Sequence, residues 1–166
     1  DINSWKRAQH YNVYKDFDYP HFNVSVRLDV THFYKYTKKN YIPFYNAMIY
    51  SVMKHINNIE ELKYRIRDGE IVLHDYVNPS FTVLLENDLF SYCHAEYSSD
   101  PFQFIKNVQE SVALLGNVPN LQDPKDKDDS VYLTSIPWID FTSITHPINM
   151  SPVDSIPRVA WGRYIL

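Results

Sequence analysis

The stretch YLTSIPWIDF at residues 132–141 decides the fold prediction, because it begins as an apolar strand and then meets a Pro-Trp corner. Hydroxyl side chains interrupt the apolar run, and Ser135 falls where the predicted strand ends. A polar group at a strand end is often held against a ligand. A serine in a half-buried strand also commonly bonds to backbone or water. The local pattern therefore leaves a ligand-binding role and a purely structural role open for Ser135.

The composition predicts one globular domain over residues 1–166. With 45% hydrophobic and 22% charged residues, the chain can bury a core without disulfides or metals. Cys93 is the only cysteine, which excludes an intramolecular disulfide and favours a cytoplasmic location. The net charge of −4, with acidic and basic residues interspersed, disfavours nucleic acid as a partner. No apolar run is long enough for a membrane span, so no membrane partner is expected either.

Apolar residues recur three and four positions apart in two segments, which predicts two helices that pack against a core. The first runs from Pro43 to about Ile56. The second has Asp100 as its cap and ends near Gly116. A shorter helix is expected at residues 3–11.

Strand-like patterns fill most of the remaining chain and predict an α+β fold. Residues 22–30 alternate apolar and polar side chains, as in a strand with one buried face. The pairs DG at 68–69 and ND at 87–88 each separate two strand-like runs, so each predicts an antiparallel hairpin. Residues 157–166 read as a final strand with no later strand to pair with. The polar run at 117–130 reads as a solvated loop.

No linear motif in the sequence identifies a catalytic centre. The seven histidines lack metal-ligand spacing, so no metal is expected. No Gly-x-Ser-x-Gly elbow is present. Cys93 lies inside a strand pattern, where a small buried thiol is commoner than a nucleophile.

Eight segments, taken in order along the chain, resemble the chloramphenicol acetyltransferase family. They are WKRAQHY at 5–11, LDVT at 28–31, FYNAMIY at 44–50, ELKYRI at 61–66, VNPSFTV at 77–83, AEYSSD at 95–100, SIPWIDF at 135–141 and IP at 156–157. No single segment is specific to this family. Their occurrence in family order along the whole chain is specific to it.

The resemblance implies a two-layer α/β sandwich with a mixed or antiparallel sheet and helices on one side. It also implies a trimer with active sites at the subunit interfaces. In the family's reaction a histidine takes the proton from a hydroxyl of chloramphenicol or a similar acceptor, whose oxygen attacks the thioester of the co-substrate acetyl-CoA. A hydroxyl donor stabilises the oxyanion, and Ser135 matches that donor. Arg7 matches the arginine that pairs with the family's signature aspartate, and Tyr14 matches an aromatic residue of the acceptor pocket.

The chain departs from the family at two points. The signature, His-His followed by three residues and Asp-Gly, lies beyond the strand at 157–166, and no His-x-x-x-Asp-Gly occurs in these 166 residues. We therefore expect the family's C-terminal strand and helix to be lacking, together with the base and the partner of Arg7. Ala160 stands where the family usually has a threonine that holds a water near the reacting centre. Other candidate bases are His10, His32 and His94.

Two functions remain open on this resemblance. One is an acetyl-CoA-dependent O-acetyltransferase by descent, whose base is not on this chain. The other is a catalytically inactive, truncated homologue that binds a ligand or associates with itself. An acyltransferase with a left-handed β-helix is disfavoured, because no hexapeptide repeat is visible.

Overall fold

The fold combines a mixed four-stranded sheet, a separate hairpin and helices that pack on one face of the sheet. A computed structural model describes residues 2–86, 88–122 and 127–165. Within these ranges the helices are α1 (Ala8–Tyr14), α2 (Thr31–Lys39), α3 (Phe44–Asn57) and α4 (Pro101–Ala113), with 3-10 turns at Ile2–Ser4 and Glu60–Lys63. The strands are β1 (Tyr64–Arg67), β2 (Glu70–Leu73), β3 (Asn78–Leu84), β4 (Phe90–His94), β5 (Ser130–Ser135) and β6 (Arg158–Trp161).

The large sheet has the strand order β4-β3-β5-β6. Strands β3 and β4 pair antiparallel, which confirms the second predicted hairpin, although Asn87 lies outside the described residues. Strand β5 runs parallel to β3 on one side and to β6 on the other. The final strand thus has a partner, although no later strand follows it. Its partner lies earlier in the chain, and a parallel pairing needs no turn to follow the strand.

The core lies between the sheet and helices α3 and α4, as the spacing of apolar residues predicts. Two buried side chains of the sheet, Phe81 and Leu133, meet the helices there. The helices contribute Ile49, Met53, Ile56, Phe104 and Val108. Helices therefore cover one face of the sheet, and the confirmed fold class is α/β with a mixed sheet.

The helix boundaries differ slightly from those predicted. Helix α3 begins at Phe44, directly after its N-cap Pro43. The Asp100 side chain caps α4 by accepting a hydrogen bond from the Phe102 backbone N–H at 3.0 Å. This helix ends at Ala113 rather than near Gly116. Helix α1 begins only at Ala8, because the first residues form a 3-10 turn.

The first predicted hairpin is confirmed, but it forms a two-stranded sheet of its own. Asp68 and Gly69 have φ angles of 51° and 82°, as a tight two-residue hairpin turn requires. Arg65 of β1 is only 1% exposed. Its guanidinium donates to the backbone carbonyls of Asp128 at 2.6 Å and Ser130 at 2.7 Å, which ties the hairpin to the start of β5.

Residues 22–30 do not form a strand, contrary to the prediction. Their backbone pairs with none of the strands within the described ranges, and the apolar side chains face solvent. The exposed fractions are 90% for Phe22, 73% for Val24, 71% for Val26 and 73% for Leu28. Alternation gives a segment the pattern of a strand, but only a neighbouring strand can satisfy its backbone groups and bury one face.

Two phenylalanines of α4 form a matched pair for testing the core. Phe104 is fully buried, whereas Phe102, two residues earlier on the same helix, is 76% exposed. We expect Phe104→Ala to lower the free energy of unfolding by about 3–5 kcal/mol, through lost burial and the cavity left behind. Phe102→Ala should change it by less than about 0.5 kcal/mol. Urea unfolding of both variants measures the difference, and equal costs would contradict the described core.

Candidate functional site

A groove of about 1490 Å³ lies beside β6, the outer strand of the sheet. Its walls include residues 20–30, which precede α2, and the loop residues 152–157. Ligand pockets for drug-sized molecules typically have volumes of about 300–1,000 Å³. This groove is therefore large enough for more than one small molecule.

The structure places Arg7, Tyr14 and Ala160 in the walls of the groove, but not Ser135. The Tyr14 side chain is exposed, and its ring centroid lies 5.3 Å from that of Phe17. The guanidinium of Arg7 forms an ion pair with the carboxylate of Glu61. Arg7 therefore has an acidic partner within the described chain. Because both side chains are nearly half exposed, this pair contributes only about 0–1 kcal/mol.

Ser135 is the last residue of β5 and is half-buried. It lies directly opposite Trp161 of β6. The ring of Trp161 packs 5.6 Å from the ring of Tyr45 on α3, so this position of the sheet faces the helices. Alternation along β5 leads to the same result, because Leu133, two residues earlier, is buried in the core.

The opposite face of β5 and β6 carries the even-numbered residues. Arg158 lies directly opposite Tyr132, and its guanidinium carbon is 5.0 Å from the centroid of the Tyr132 ring. The next pair along these strands is Thr134 and Ala160. A second hydroxyl therefore lies one residue from Ser135, on the face that α3 does not cover.

A charged pair lies in the groove wall beside this face. The guanidinium of Arg158 pairs with the carboxylate of Asp154, and the two side chains are only 15% and 13% exposed. Arg158 also donates to the Ile156 carbonyl at 3.0 Å, while Asp154 accepts from the Ile156 N–H at 2.7 Å. Removing two charges from water is costly unless such additional hydrogen bonds are made. Here both side chains of the pair make such additional hydrogen bonds.

Two histidines that sequence reasoning missed line the groove. Nε2 of His21 lies 2.7 Å from the backbone carbonyl oxygen of Asp154, so this nitrogen carries a proton. Burial and the nearby charge of Arg158 lower the pKa of His146. Each histidine adjoins a proline in an irregular segment, where no periodic pattern signals a site. Of the three candidate bases, His10 lines the groove, whereas His32 and His94 do not.

Cys93 is buried in the core, and burial raises the pKa of its thiol to about 11. The thiol is therefore protonated at neutral pH, as the reading of Cys93 as a small buried hydrophobe requires. Among residues 2–86, 88–122 and 127–165, no three His, Cys, Asp or Glu side chains are grouped so as to hold a metal ion. No helix in this part of the chain is long and apolar enough to cross a membrane.

Comparison with known proteins identifies the family. A sequence profile described as chloramphenicol acetyltransferase matches residues 1–165. The chain belongs to the chloramphenicol acetyltransferase family. A chloramphenicol acetyltransferase of a Klebsiella species is 33% identical over 169 residues, which cover 99% of this chain and 75% of that relative. Another, from Proteus mirabilis, is 30% identical over 168 residues, which cover 99% of this chain and 76% of the relative.

The fold of this chloramphenicol acetyltransferase family member matches a solved structure. A chain described as chloramphenicol acetyltransferase superposes with a TM-score of 0.89 at 22% identity, over 100% of this chain and 81% of that chain. At this level of identity the match concerns the fold. The chain spans about three quarters of the length of the relatives it matches in sequence, 75% for the Klebsiella protein.

The lowered pKa of His146 predicts how the free energy of unfolding depends on pH. Its folded pKa lies below the ordinary value of 6.5, so the unfolded chain takes up more protons as the pH falls. Stability is therefore lost as the pH falls through and below that value. We expect His146→Gln to lose less stability than the unchanged chain between about pH 7 and about pH 5. Urea unfolding at the two pH values measures this.

The matched control is His10→Gln, since His10 is exposed on α1. This variant should lose as much free energy of unfolding between the two pH values as the unchanged chain does. A loss of stability that His146→Gln does not reduce would contradict the prediction.

Proposed function

We propose that this chain serves acetyl transfer from acetyl-CoA to a hydroxyl of chloramphenicol or a similar acceptor. The observation that carries the proposal is the family match over residues 1–165. The groove beside β6 supports it, because its volume of about 1490 Å³ can hold an acceptor together with the thioester end of acetyl-CoA. Acetyl-CoA is a cytoplasmic metabolite, so we place the reaction in the cytoplasm. Acetylation of the drug would give resistance to it.

The family resemblance gives three residues their proposed roles. Tyr14 contacts the acceptor, which its place in the groove wall supports. Arg7 is a structural ion-pair arginine, and Glu61 is its partner among the described residues. The resemblance assigns the oxyanion donor to Ser135, at the end of β5. Loss of such a donor typically costs about 100-fold or more in rate.

The histidine base of the family's reaction is, in this proposal, not among these 166 residues. The absence of any His-x-x-x-Asp-Gly from the sequence supports this point. The acceptor oxygen can attack the thioester only if a base takes its proton. A small external base such as imidazole can supply that function, provided that it reaches the groove.

Binding and thiol release test the two parts of the proposal separately. Calorimetry with the 166-residue chain, verified by mass to end at Leu166, should show saturable chloramphenicol binding. Chloramphenicol acetylated on the reacting hydroxyl should bind more weakly, because the hydroxyl is blocked. Thiol release from acetyl-CoA should stay at background and rise when imidazole is added.

Each contrary result has a definite meaning. Absence of chloramphenicol binding would contradict the proposed acceptor. Thiol release without imidazole would contradict the claim that the base is missing. Binding without any imidazole-supported release would favour the inactive, ligand-binding homologue.

We also propose that the chain self-associates as a trimer, as the resemblance implies. The exposed apolar side chains of residues 22–28 support an interface, since a monomer rarely exposes several large apolar side chains together. Light scattering after size exclusion should give a trimer mass. Exchange of both Val24 and Val26 for Asp should reduce it to the single-chain mass. Tyr41→Asp is the control, because Tyr41 follows α2 and is 95% exposed. A single-chain mass for the unchanged chain would refute the trimer.

A further inference from the structure

We propose that Asp128 positions one wall of the groove, by holding the β1–β2 hairpin against Ser155. This inference rests on the proposed acetyl transfer, because that proposal places the acceptor and the thioester in the groove. Asp128 is not among the residues that line the groove. It therefore acts through the residues that it holds, as a positioning residue and not as a catalytic one.

Asp128 joins the hairpin to the start of β5. Its carboxylate accepts hydrogen bonds from the Arg67 guanidinium at 2.7 and 3.2 Å, and from Nε2 of His74 at 2.9 Å. Arg67 is the last residue of β1, and His74 directly follows β2, so one carboxylate binds both strands. The backbone carbonyl of Asp128 also accepts from the buried guanidinium of Arg65 at 2.6 Å.

The Asp128 carboxylate stays charged at neutral pH. Its side chain is only 27% exposed. Burial alone would raise the pKa of this carboxyl, but the hydrogen bonds from Arg67 and His74 outweigh that effect and lower the pKa. Hydrogen bonds to an ionised group are about twice as strong as those between neutral groups. Asp128 is therefore a strong attachment point for the hairpin.

The hairpin depends on such side-chain contacts for its position. Within the described ranges, β1 and β2 pair only with each other and not with the large sheet. A two-stranded hairpin is at best marginally stable by itself. Besides Asp128, the backbone carbonyl of Ser130 accepts from the Arg65 guanidinium at 2.7 Å. Residues 128–130 thus determine where the hairpin lies.

Strand β1 connects this attachment point to the groove. In the hairpin register Arg67 lies opposite Glu70 beside the two-residue turn, and Ile66 lies opposite Ile71. Hydrogen-bonded and non-hydrogen-bonded pairs alternate along an antiparallel ladder, so the Ile66 N–H points away from β2. This N–H donates to the hydroxyl oxygen of Ser155 at 2.9 Å. Both Ile66 and Ser155 line the groove.

Ser155 lies within the most densely bonded part of the groove wall. The Asp154 carboxylate before it accepts from the Ile156 N–H after it at 2.7 Å, and also pairs with Arg158. A shift of Ser155 would therefore move both of its neighbours and the Arg158 guanidinium. Arg158 lies two residues from Ala160, which the resemblance places next to the reacting centre. The position of the hairpin thus affects the groove where the acceptor is proposed to bind.

Hydrogen exchange followed by NMR tests the connection without any ligand. Asp128→Asn removes the charge and replaces one accepting oxygen with a donor. It should speed exchange of the Ile66 amide about fivefold, as Ser155→Ala should, because both changes weaken one hydrogen bond. The amide of Val72 belongs to the hydrogen-bonded pair with Arg65 and reports on the hairpin itself. Its exchange should stay unchanged.

Calorimetry with chloramphenicol tests the effect on the groove. Asp128→Asn and Ser155→Ala should each raise the dissociation constant about tenfold. Because both act through the same hydrogen bond, the double variant should bind at most about twofold more weakly than either single variant. Asp128→Glu keeps a carboxylate and should recover most of the affinity. The matched control is Glu110→Gln, since the exposed carboxylate of Glu110 pairs with Lys106 on α4, and it should leave the affinity unchanged.

Every outcome decides for or against Asp128. Urea unfolding shows whether each variant is folded, and Arg67→Gln replaces Asp128→Asn if the latter does not fold. Unchanged exchange at Ile66 overturns the proposal, and so does equally faster exchange at Val72. Faster exchange at Ile66 with unchanged chloramphenicol affinity, or losses of affinity that add in the double variant, overturn it as well. If the unchanged chain does not bind chloramphenicol, the proposed acceptor fails, and exchange at Ile66 and Val72 still decides the role of Asp128.

Discussion

The parallel pairing of β5 between β3 and β6 is the constraint on which the rest of the structure depends. It places an apolar row of β5, including Val131 and Leu133, in the centre of the core. Parallel strands cannot be joined by a tight turn, so the chain must cross over between them, and α4 lies in the connection from β4 to β5. The pairing therefore explains why the helices lie on one face of the sheet and where the core forms.

The same pairing gives β5 and β6 one apolar face, on the helix side, and one polar face. On the helix side, apolar side chains are closely packed, and even the one cysteine is a buried, protonated thiol. On the other side of β5 and β6, Tyr132, Thr134 and Arg158 form a row, and Arg158 of this row lines the groove. Charges there are tolerated because each has partners, as Arg158 has in Asp154 and the Ile156 carbonyl.

Sequence patterns predicted the elements whose stabilising contacts are local or follow a single period. Helices α3 and α4 were found because their apolar spacing matches the helical repeat, and the turn at Asp68 and Gly69 because its geometry needs positive φ angles. Residues 22–30 were predicted wrongly as a strand, since a strand is stabilised by a neighbour that a local pattern cannot supply. Side chains along a strand alternate between its two faces, so the sequence already places Ser135 and Leu133 on the same face.

By itself the sequence determined a globular α+β domain, the core side of the two long helices and, through ordered resemblance, the α/β sandwich and the family. Only the tertiary structure decided that β6 pairs with β5 in parallel, that Arg7 meets Glu61, and that Thr134 rather than Ser135 shares a face with Ala160. The physical reason is distance along the chain. Periodicity fixes which residues share a face within one element, whereas the register between elements depends on contacts between residues far apart in sequence.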